Sequence, residues 1–211
     1  MPHPRPLHPA AVAELIAARA DAVSADRRVR LVIDGPPWSG IRLGPLVVAA
    51  LQDLPRPAVL VETVDYLRPA SLRLERGRDD PEAFYEDWID LAALRREVFE
   101  PAGPGGSGRV LPALWDAGRD RAVRAGYVTV PETAIVVVEG WFLLGAGLAH
   151  ELAVHVSLTG AARQRRVPAA DAARDLPAFA RYDDEVRPLE LADIVVRADD
   201  PRRPAVVVRD E

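Results

Sequence analysis

One run of this chain is apolar at every position, Ile135-Val136-Val137-Val138, and two others are nearly so, Val29-Arg30-Leu31-Val32-Ile33 and the stretch 153–158. A strand with one wet face alternates apolar and polar residues. Continuous β-branched runs instead fit strands buried on both faces, as in the centre of a parallel sheet covered by helices. The first strand, Val29 to Asp34, stops at Gly35-Pro36-Pro37; a helix is predicted over 43–54 and a second strand over 58–62. This strand, turn, helix, strand rhythm predicts an α/β fold.

The rest of the chain fills in around that frame. Residues 9–24 carry Leu15, Ile16 and alanines at helical spacing, so a leading helix occupies the 1–28 segment. Pro81 is placed at the first turn of a helix expected to run through Phe84, Trp88, Leu91 and Leu94. A proline- and glycine-rich loop covers 101–108, and extended pieces near 109–114 and 127–130 predict a small hairpin off the main sheet. The arginine-rich segment 161–182 reads as a solvated helix broken at Pro168 and Pro177, and short strands over 194–197 and 205–208 close the chain. No internal repeat or low-complexity linker interrupts 211 residues, a length that suits one α/β domain.

Composition narrows the function. The net charge of −5 argues against a nucleic-acid-binding surface, which leaves a small-molecule partner as the better fit. No apolar run approaches the roughly 20 residues that span a bilayer, and the start of the chain lacks an apolar signal core, so a cytoplasmic protein is expected. There is no cysteine, hence no disulfide, thiolate metal site or cysteine nucleophile. His3, His8, His150 and His155 lack ligand spacing, so no metal cluster follows from them. The chain also has no lysine: all 27 basic residues are arginine, a bias that a GC-rich genome explains.

Between the first strand and its helix lies Gly35-Pro36-Pro37-Trp38-Ser39-Gly40, with the spacing G-x-x-x-x-G of a phosphate-binding loop. In such a loop backbone N–H groups and the helix N-terminus cradle phosphates, a lysine reaches the outer ones and a Ser or Thr hydroxyl holds Mg²⁺. Those two positions are Ile41 and Arg42 here. Losing one such charge donor typically costs about 10²–10³ in rate. A tight strand-to-helix turn, with Trp38 covering apolar surface, explains the glycines equally well.

Further motifs follow in order: Val64-Asp65-Tyr66-Leu67-Arg68-Pro69, the segment Arg76-Gly77-Arg78-Asp79-Asp80-Pro81-Glu82-Ala83-Phe84-Tyr85, Trp115-Asp116-Ala117-Gly118-Arg119-Asp120, and Val138-Glu139-Gly140-Trp141. Arg163, Arg165, Arg166, Arg174 and Asp175 come next, then Glu185-Val186-Arg187-Pro188. With Ile33-Asp34-Gly35-Pro36 and Gly40, this succession resembles the uridine kinase family of P-loop phosphotransferases over about residues 29–208, with a degenerate Walker A loop. The resemblance implies a three-layer P-loop fold with a central parallel sheet, a small hairpin and an arginine-rich lid over 161–182. It also implies ATP with Mg²⁺, the metal held through Glu139, and nucleotide contacts from Gly35, Trp38, Ser39, Gly40, Ile41, Arg42, Arg163 and Arg166. Tyr66, Arg68, Asp79, Trp115, Asp116 and Glu139 would meet the substrate. The family's catalytic base matches Val64, which leaves Asp65 as its neighbour. Each role has a plainer counterpart: Tyr66 and Trp115 suit ordinary core, Asp79 suits a helix N-terminus before Pro81, and Glu139 suits a solvated strand end.

Two readings of different class follow. In one, the protein is an ATP-dependent kinase of a nucleoside or other small alcohol, with Asp65 as base and Arg42 and the lid arginines steadying the phosphates. In the other, it is a catalytically silent relative that keeps the fold and a small-ligand pocket for binding or regulation.

Overall fold

A computed structural model describes residues 5–209; Met1 to Pro4, with His3 among them, and Asp210 and Glu211 lie outside the described part. The chain begins with β1 (Arg5–Pro6) and α1 (Pro9–Val23), then β2 (Val29–Asp34), α2 (Leu43–Leu51) and β3 (Ala58–Glu62), which ends in a 3-10 turn (Thr63–Tyr66). A helical stretch follows: α3 (Ala70–Arg73), α4 (Pro81–Glu86) and α5 (Leu91–Leu94), the last continuing through a π-helical turn (Arg95–Phe99) into α6 (Glu100–Ala102). Two small hairpins come next, one pairing β4 (Arg109–Val110) with β7 (Val128–Thr129) and the other β5 (Trp115–Asp116) with β6 (Arg121–Ala122). The sheet resumes with β8 (Ile135–Gly140) and β9 (Leu152–Ser157); α7 (Gly160–Arg166), α8 (Ala172–Glu185), α9 (Pro188–Leu191), β10 (Ile194–Arg197) and β11 (Ala205–Val208) complete the chain.

Seven strands lie in the order β1-β11-β10-β9-β2-β8-β3. The five from β10 to β3 are parallel, and β11 and β1 extend them antiparallel. Alternate residues of a strand face opposite sides. Leu31, Ile33, Val137 and Val154 therefore pack under α1 and α2, while Val32, Val136, Val138 and Ala153 meet an aromatic layer of Phe84, Trp88, Phe99, Phe142, Phe179 and Tyr182. Both layers exclude water, which is why the central strands need no polar alternation. α2 carries the chain from β2 to β3 on one side while β9 and β10 build out on the other. The carboxyl end of β2 is thus where the connections diverge, the usual ligand crevice of open α/β sheets.

Three expectations need correction. The helix predicted to run from Pro81 through Leu94 is interrupted, because the chain around Trp88 to Asp90 pairs with Tyr66 to Arg68: Ile89 bridges Leu67, Arg68 N–H donates to Trp88 O, and Asp90 N–H donates to Tyr66 O. Asp90 then caps the next helix, its Oδ1 accepting from Ala93 N–H at 2.8 Å. Pro168 does end α7, but Pro177 does not break α8. The proline costs a hydrogen bond to Ala173, and burial of Phe179 and Tyr182 just beyond it holds the helix together. Nor is this segment solvated throughout: Arg174 is 6% exposed, its guanidinium 4.6 Å from the Phe84 ring centre and 4.4 Å from that of Trp88, and Asp175 is 2% exposed.

Candidate ligand site

The carboxyl ends of β2, β3 and β8 open into a cavity of about 370 Å³. Its wall includes Gly35, Ser39, Ile41 and Arg42 from the loop, Asp34 from β2, Glu62 to Val64 at the end of β3, and Glu139 to Trp141 at the end of β8. The loop begins where Gly35 passes over β9, so close that a Cβ would lie 2.8 Å from Val156 O. It ends at Gly40, whose φ of +82° favours glycine.

Backbone N–H groups decide what such a loop can hold. Pro36 and Pro37 have none. Gly35 N–H donates to Gly140 O, Ser39 N–H to Pro36 O, and Ile41 N–H to Ser39 Oγ. Trp38, Gly40 and Arg42 N–H have no such bond among the described residues. The first two amides of α2 are also occupied, since Leu43 N–H and Gly44 N–H donate to Glu139 Oε1 at 2.8 and 2.9 Å. A carboxylate there satisfies orphan donors and meets the positive end of the helix dipole. Gly44 leaves room for this contact: a Cβ would stand 2.7 Å from Glu139 Oε2 and 2.8 Å from Leu60 Cδ1, so a larger residue would have to displace both side-chain ends. Burial pushes the Glu139 carboxyl up, the Gly44 and Leu43 amides pull it back, and nearby Glu62 adds to the rise.

Arg42, exposed at the mouth, forms an ion pair with Glu62. Beneath the loop Asp34 is fully buried: Oδ1 accepts from Leu143 N–H at 2.9 Å, while Oδ2 lies 2.7 Å from His155 Nδ1 and accepts from Tyr182 O–H at 3.0 Å. Leu144 N–H donates to the same Tyr182 oxygen. These bonds secure the turn after β8, where Phe142 adopts a left-handed φ of 58°.

The outer side of the loop is braced by the arginine-rich segment. Trp38 Nε1–H donates to Asp175 Oδ2 at 2.8 Å, and the Trp38 ring meets Phe179 edge-on at 5.4 Å. Arg166 donates to Ser39 O, Ala198 O and Asp199 O. Every donor contact found for its guanidinium is therefore to protein carbonyls. Arg163 turns the other way, pairing with Asp183 at 2.7 Å.

The sequence-predicted residues thus divide. Gly35, Ser39, Ile41, Arg42 and Glu139 share the cavity wall; Trp38, Gly40, Arg163 and Arg166 do not lie on it, and neither does the expected substrate set other than Glu139. Tyr66 is fully buried core, its hydroxyl donating to Leu111 O. Asp65 sits half-buried in the 3-10 turn, its carboxyl raised by burial and by Glu62 and Asp116. Arg68 pairs with Asp87, and Trp115 Nε1–H donates to Asp120 Oδ1 at 3.2 Å. Asp116 holds the turn of the β5–β6 hairpin by accepting from Arg119 N–H at 3.0 Å. Asp79 is exposed; the helix-capping carboxylate before Pro81 is Asp80, which accepts from Ala83 N–H at 2.6 Å. Sequence reasoning missed Asp34, Glu62, Thr63 and Trp141. Glu62 carried a readable signal, an acidic residue closing an otherwise apolar strand, the same pattern that singled out Glu139.

No protein-family model matches the sequence, and no curated protein does. Solved structures do match. A possible uridine kinase from Bacillus stearothermophilus aligns with a TM-score of 0.71 at 17% identity, over 87% of this chain and 96% of that one. A provisionally assigned fructose transport system kinase from Silicibacter sp. TM1040 aligns with a TM-score of 0.54 at 21% identity, over 88% and 95% of the two chains. At these identities the likeness is one of fold, and the fold is that of P-loop kinases.

Proposed function

We propose that this chain is a silent member of the P-loop kinase fold: it binds a small molecule in the cavity beside its loop and does not transfer phosphate from ATP. The observation that carries this reading is the Glu139 carboxylate on the first amides of α2, where a phosphate would otherwise be gripped. A phosphate oxygen brought within about 4 Å of that carboxylate would meet a repulsion of roughly 4 kcal/mol per charge pair at an effective dielectric of about 20. The loop is a degenerate Walker A loop in this reading, and its residues do not fit Mg·ATP. Two of its positions are prolines without N–H, the chain has no lysine, and Arg42 stands where a metal-binding hydroxyl is needed. Glu139, the residue the resemblance offered for Mg²⁺, has one oxygen engaged by the helix.

The kinase reading, an ATP-dependent phosphotransferase acting on a nucleoside or small alcohol, is favoured by a single feature. Arg42 is a mobile-length cation at the cavity mouth, and release from Glu62 would let it meet a phosphate. Calorimetric titration separates the two. Mg·ATP is expected to give no heat of binding at micromolar concentrations, and micromolar affinity that depends on magnesium would sink the silent reading. The double replacement Ile41→Lys with Arg42→Thr is expected to leave the chain inactive while Glu139 keeps its place.

A further inference from the structure

Among the described residues four arginines are buried: Arg30, Arg56, Arg73 and Arg174. A guanidinium keeps its charge wherever it lies, so each needs acceptors for its N–H donors. Arg30 finds Glu151 and Phe99 O, Arg56 finds Asp21 and several backbone carbonyls, and Arg174 finds Asp171 and Asp175. Arg73 differs. Only its Nε–H is bonded, to Arg68 O at 2.6 Å. Asp120 Oδ1 stands 4.0 Å from Nη2, beyond hydrogen-bond reach, and already accepts from Ala70 N–H and Trp115 Nε1–H. The side chain is nonetheless fixed, its guanidinium lying 5.2 Å from the centre of the Trp88 ring. Nor are its ends sealed: the unpartnered polar atoms shut from solvent belong to Thr63, Trp88, Trp141 and Arg163. A residue 8% exposed thus turns the outer edge of its fork, Nη1 and Nη2, to the surface with those donors unbonded.

The surroundings add positive charge. Arg174 lies 4.4 Å from the centre of the same Trp88 ring, and Arg78 is exposed with no partner among the described residues. Asp79 and Asp80 adjoin Arg78 in sequence, but Asp80 is spent on capping α4. Burial lowers the Arg73 pKa, Asp120 offsets part of this, and the charges of Arg78 and Arg174 lower it further. Such a cation is short of acceptors and crowded by its own sign, and an oxyanion relieves both. We propose that Arg73 and Arg78 form a surface site for the oxyanion group of a small molecule, a carboxylate or phosphate gripped end-on by Arg73 Nη1 and Nη2. Two oxygens of one carboxylate or phosphate match the spacing of that fork, and the bonds are charge-assisted at both ends. Arg174 stays with its own carboxylates and contributes only its field. None of these residues lies on the wall of the cavity beside the loop, so the inference does not depend on whether the loop takes nucleotide.

NMR titration of the isotope-labelled protein tests this at pH 7.5, with sodium phosphate and sodium acetate each compared with sodium chloride at equal ionic strength. Saturable shifts with a millimolar dissociation constant are expected at residues 70–78 and at the Trp88 indole, and none from chloride. Tighter binding of phosphate assigns the ligand a phosphate group; acetate as tight or tighter assigns it a carboxylate. Arg73→Gln is expected to weaken the anion at least tenfold, and Arg78→Ala, at an exposed position that the fold does not need, at least threefold. Asp120→Asn keeps an acceptor for Ala70 N–H and Trp115 Nε1–H while removing the competing charge, so it is expected to tighten the anion severalfold. A purely structural Arg73 would not produce that gain. If Arg73→Gln unfolds, Arg78→Ala and Asp120→Asn decide. The inference is overturned if neither anion saturates, if binding survives Arg78→Ala, or if Asp120→Asn leaves it unchanged. It is overturned equally if the shifts gather on residues 35–42 and vanish in Arg42→Gln, which would put the anion on the loop.

Discussion

Replacing Glu139 in two ways separates its charge from its hydrogen bonds. Glu139→Gln keeps an oxygen that can accept from Leu43 N–H and Gly44 N–H but removes the negative charge; Glu139→Ala removes both. Burial raises this carboxyl more than the two amides lower it. The ionised form is therefore less favourable in the folded chain than in the unfolded one. The associated stability is complete below the unfolded carboxyl pKa and is lost as pH rises through the higher folded value. At pH 8, then, Glu139→Gln should be at least as stable as the parent, while at pH 4 its advantage disappears. Glu139→Ala leaves two helix N–H groups beside a cavity without their acceptor, at a cost of roughly 2 kcal/mol, or a fall in Tm of roughly 4–8 °C for a chain of this size. Urea unfolding of the three proteins at pH 4 and pH 8 measures both effects. If Glu139→Gln lost as much stability as Glu139→Ala at pH 8, the charge itself would be holding the helix, and the argument from burial would be wrong.

Two further outcomes are expected. Trp38→Phe keeps the edge contact with Phe179 but removes the indole N–H from buried Asp175, so stability should fall by about 1–2 kcal/mol. Hydrogen exchange should quicken in α8 before it quickens in β2, and uniform acceleration would show that the loop is not braced from that side. Arg30 and Glu151 form a nearly buried bidentate pair, and Arg30 also donates to Phe99 O. Burial raises the Glu151 carboxyl, but the hydrogen bonds and charge of Arg30 more than offset this and hold it low. Its stabilisation is present above the unfolded carboxyl pKa and lost as pH falls through the folded one. Glu151→Gln should therefore cost roughly 3 kcal/mol at pH 7 and much less at pH 3 in denaturant titrations; an equal cost at both would exclude the ion pair as its source.

The parallel core was legible because its signal is local: β-branched runs at 29–33 and 135–138 declare burial on both faces without reference to any partner. The loop's place was legible for the same reason, from glycines between a strand and a helix. What escaped depends on residues far apart in the chain. Nothing near Glu139 announces that it caps a helix 95 positions upstream, although Gly44 inside a run of leucine, valine and alanine was a trace of it. The interruption after α4 was hidden too, since it arises from pairing of Ile89 with Leu67 rather than from a proline or glycine. Asp79 and Asp80 are adjacent carboxylates before Pro81, and only backbone geometry selects Asp80 as the cap. The arginine run of 161–182 read as solvent-facing because composition records charge but not stacking, and Arg174 is buried against aromatic rings.

A phosphate loop is ordinarily completed by what it binds: phosphate oxygens gather its amides, and lysine and metal cancel the charge they bring. In the proposed reading, side chains of the same molecule take over the gathering of the loop and the helix start, and nothing takes over the cancelling of phosphate charge. Glu139 gathers the α2 amides from within, Ser39 ties its hydroxyl to Ile41, and Trp38 and Arg166 fasten the outer side to the arginine-rich segment. A loop held in this way retains its shape without lysine and with two prolines in its turn. Among the described residues the Trp38, Gly40 and Arg42 amides lack an acceptor, but a nucleotide would have to displace Glu139 to reach the first two amides of α2.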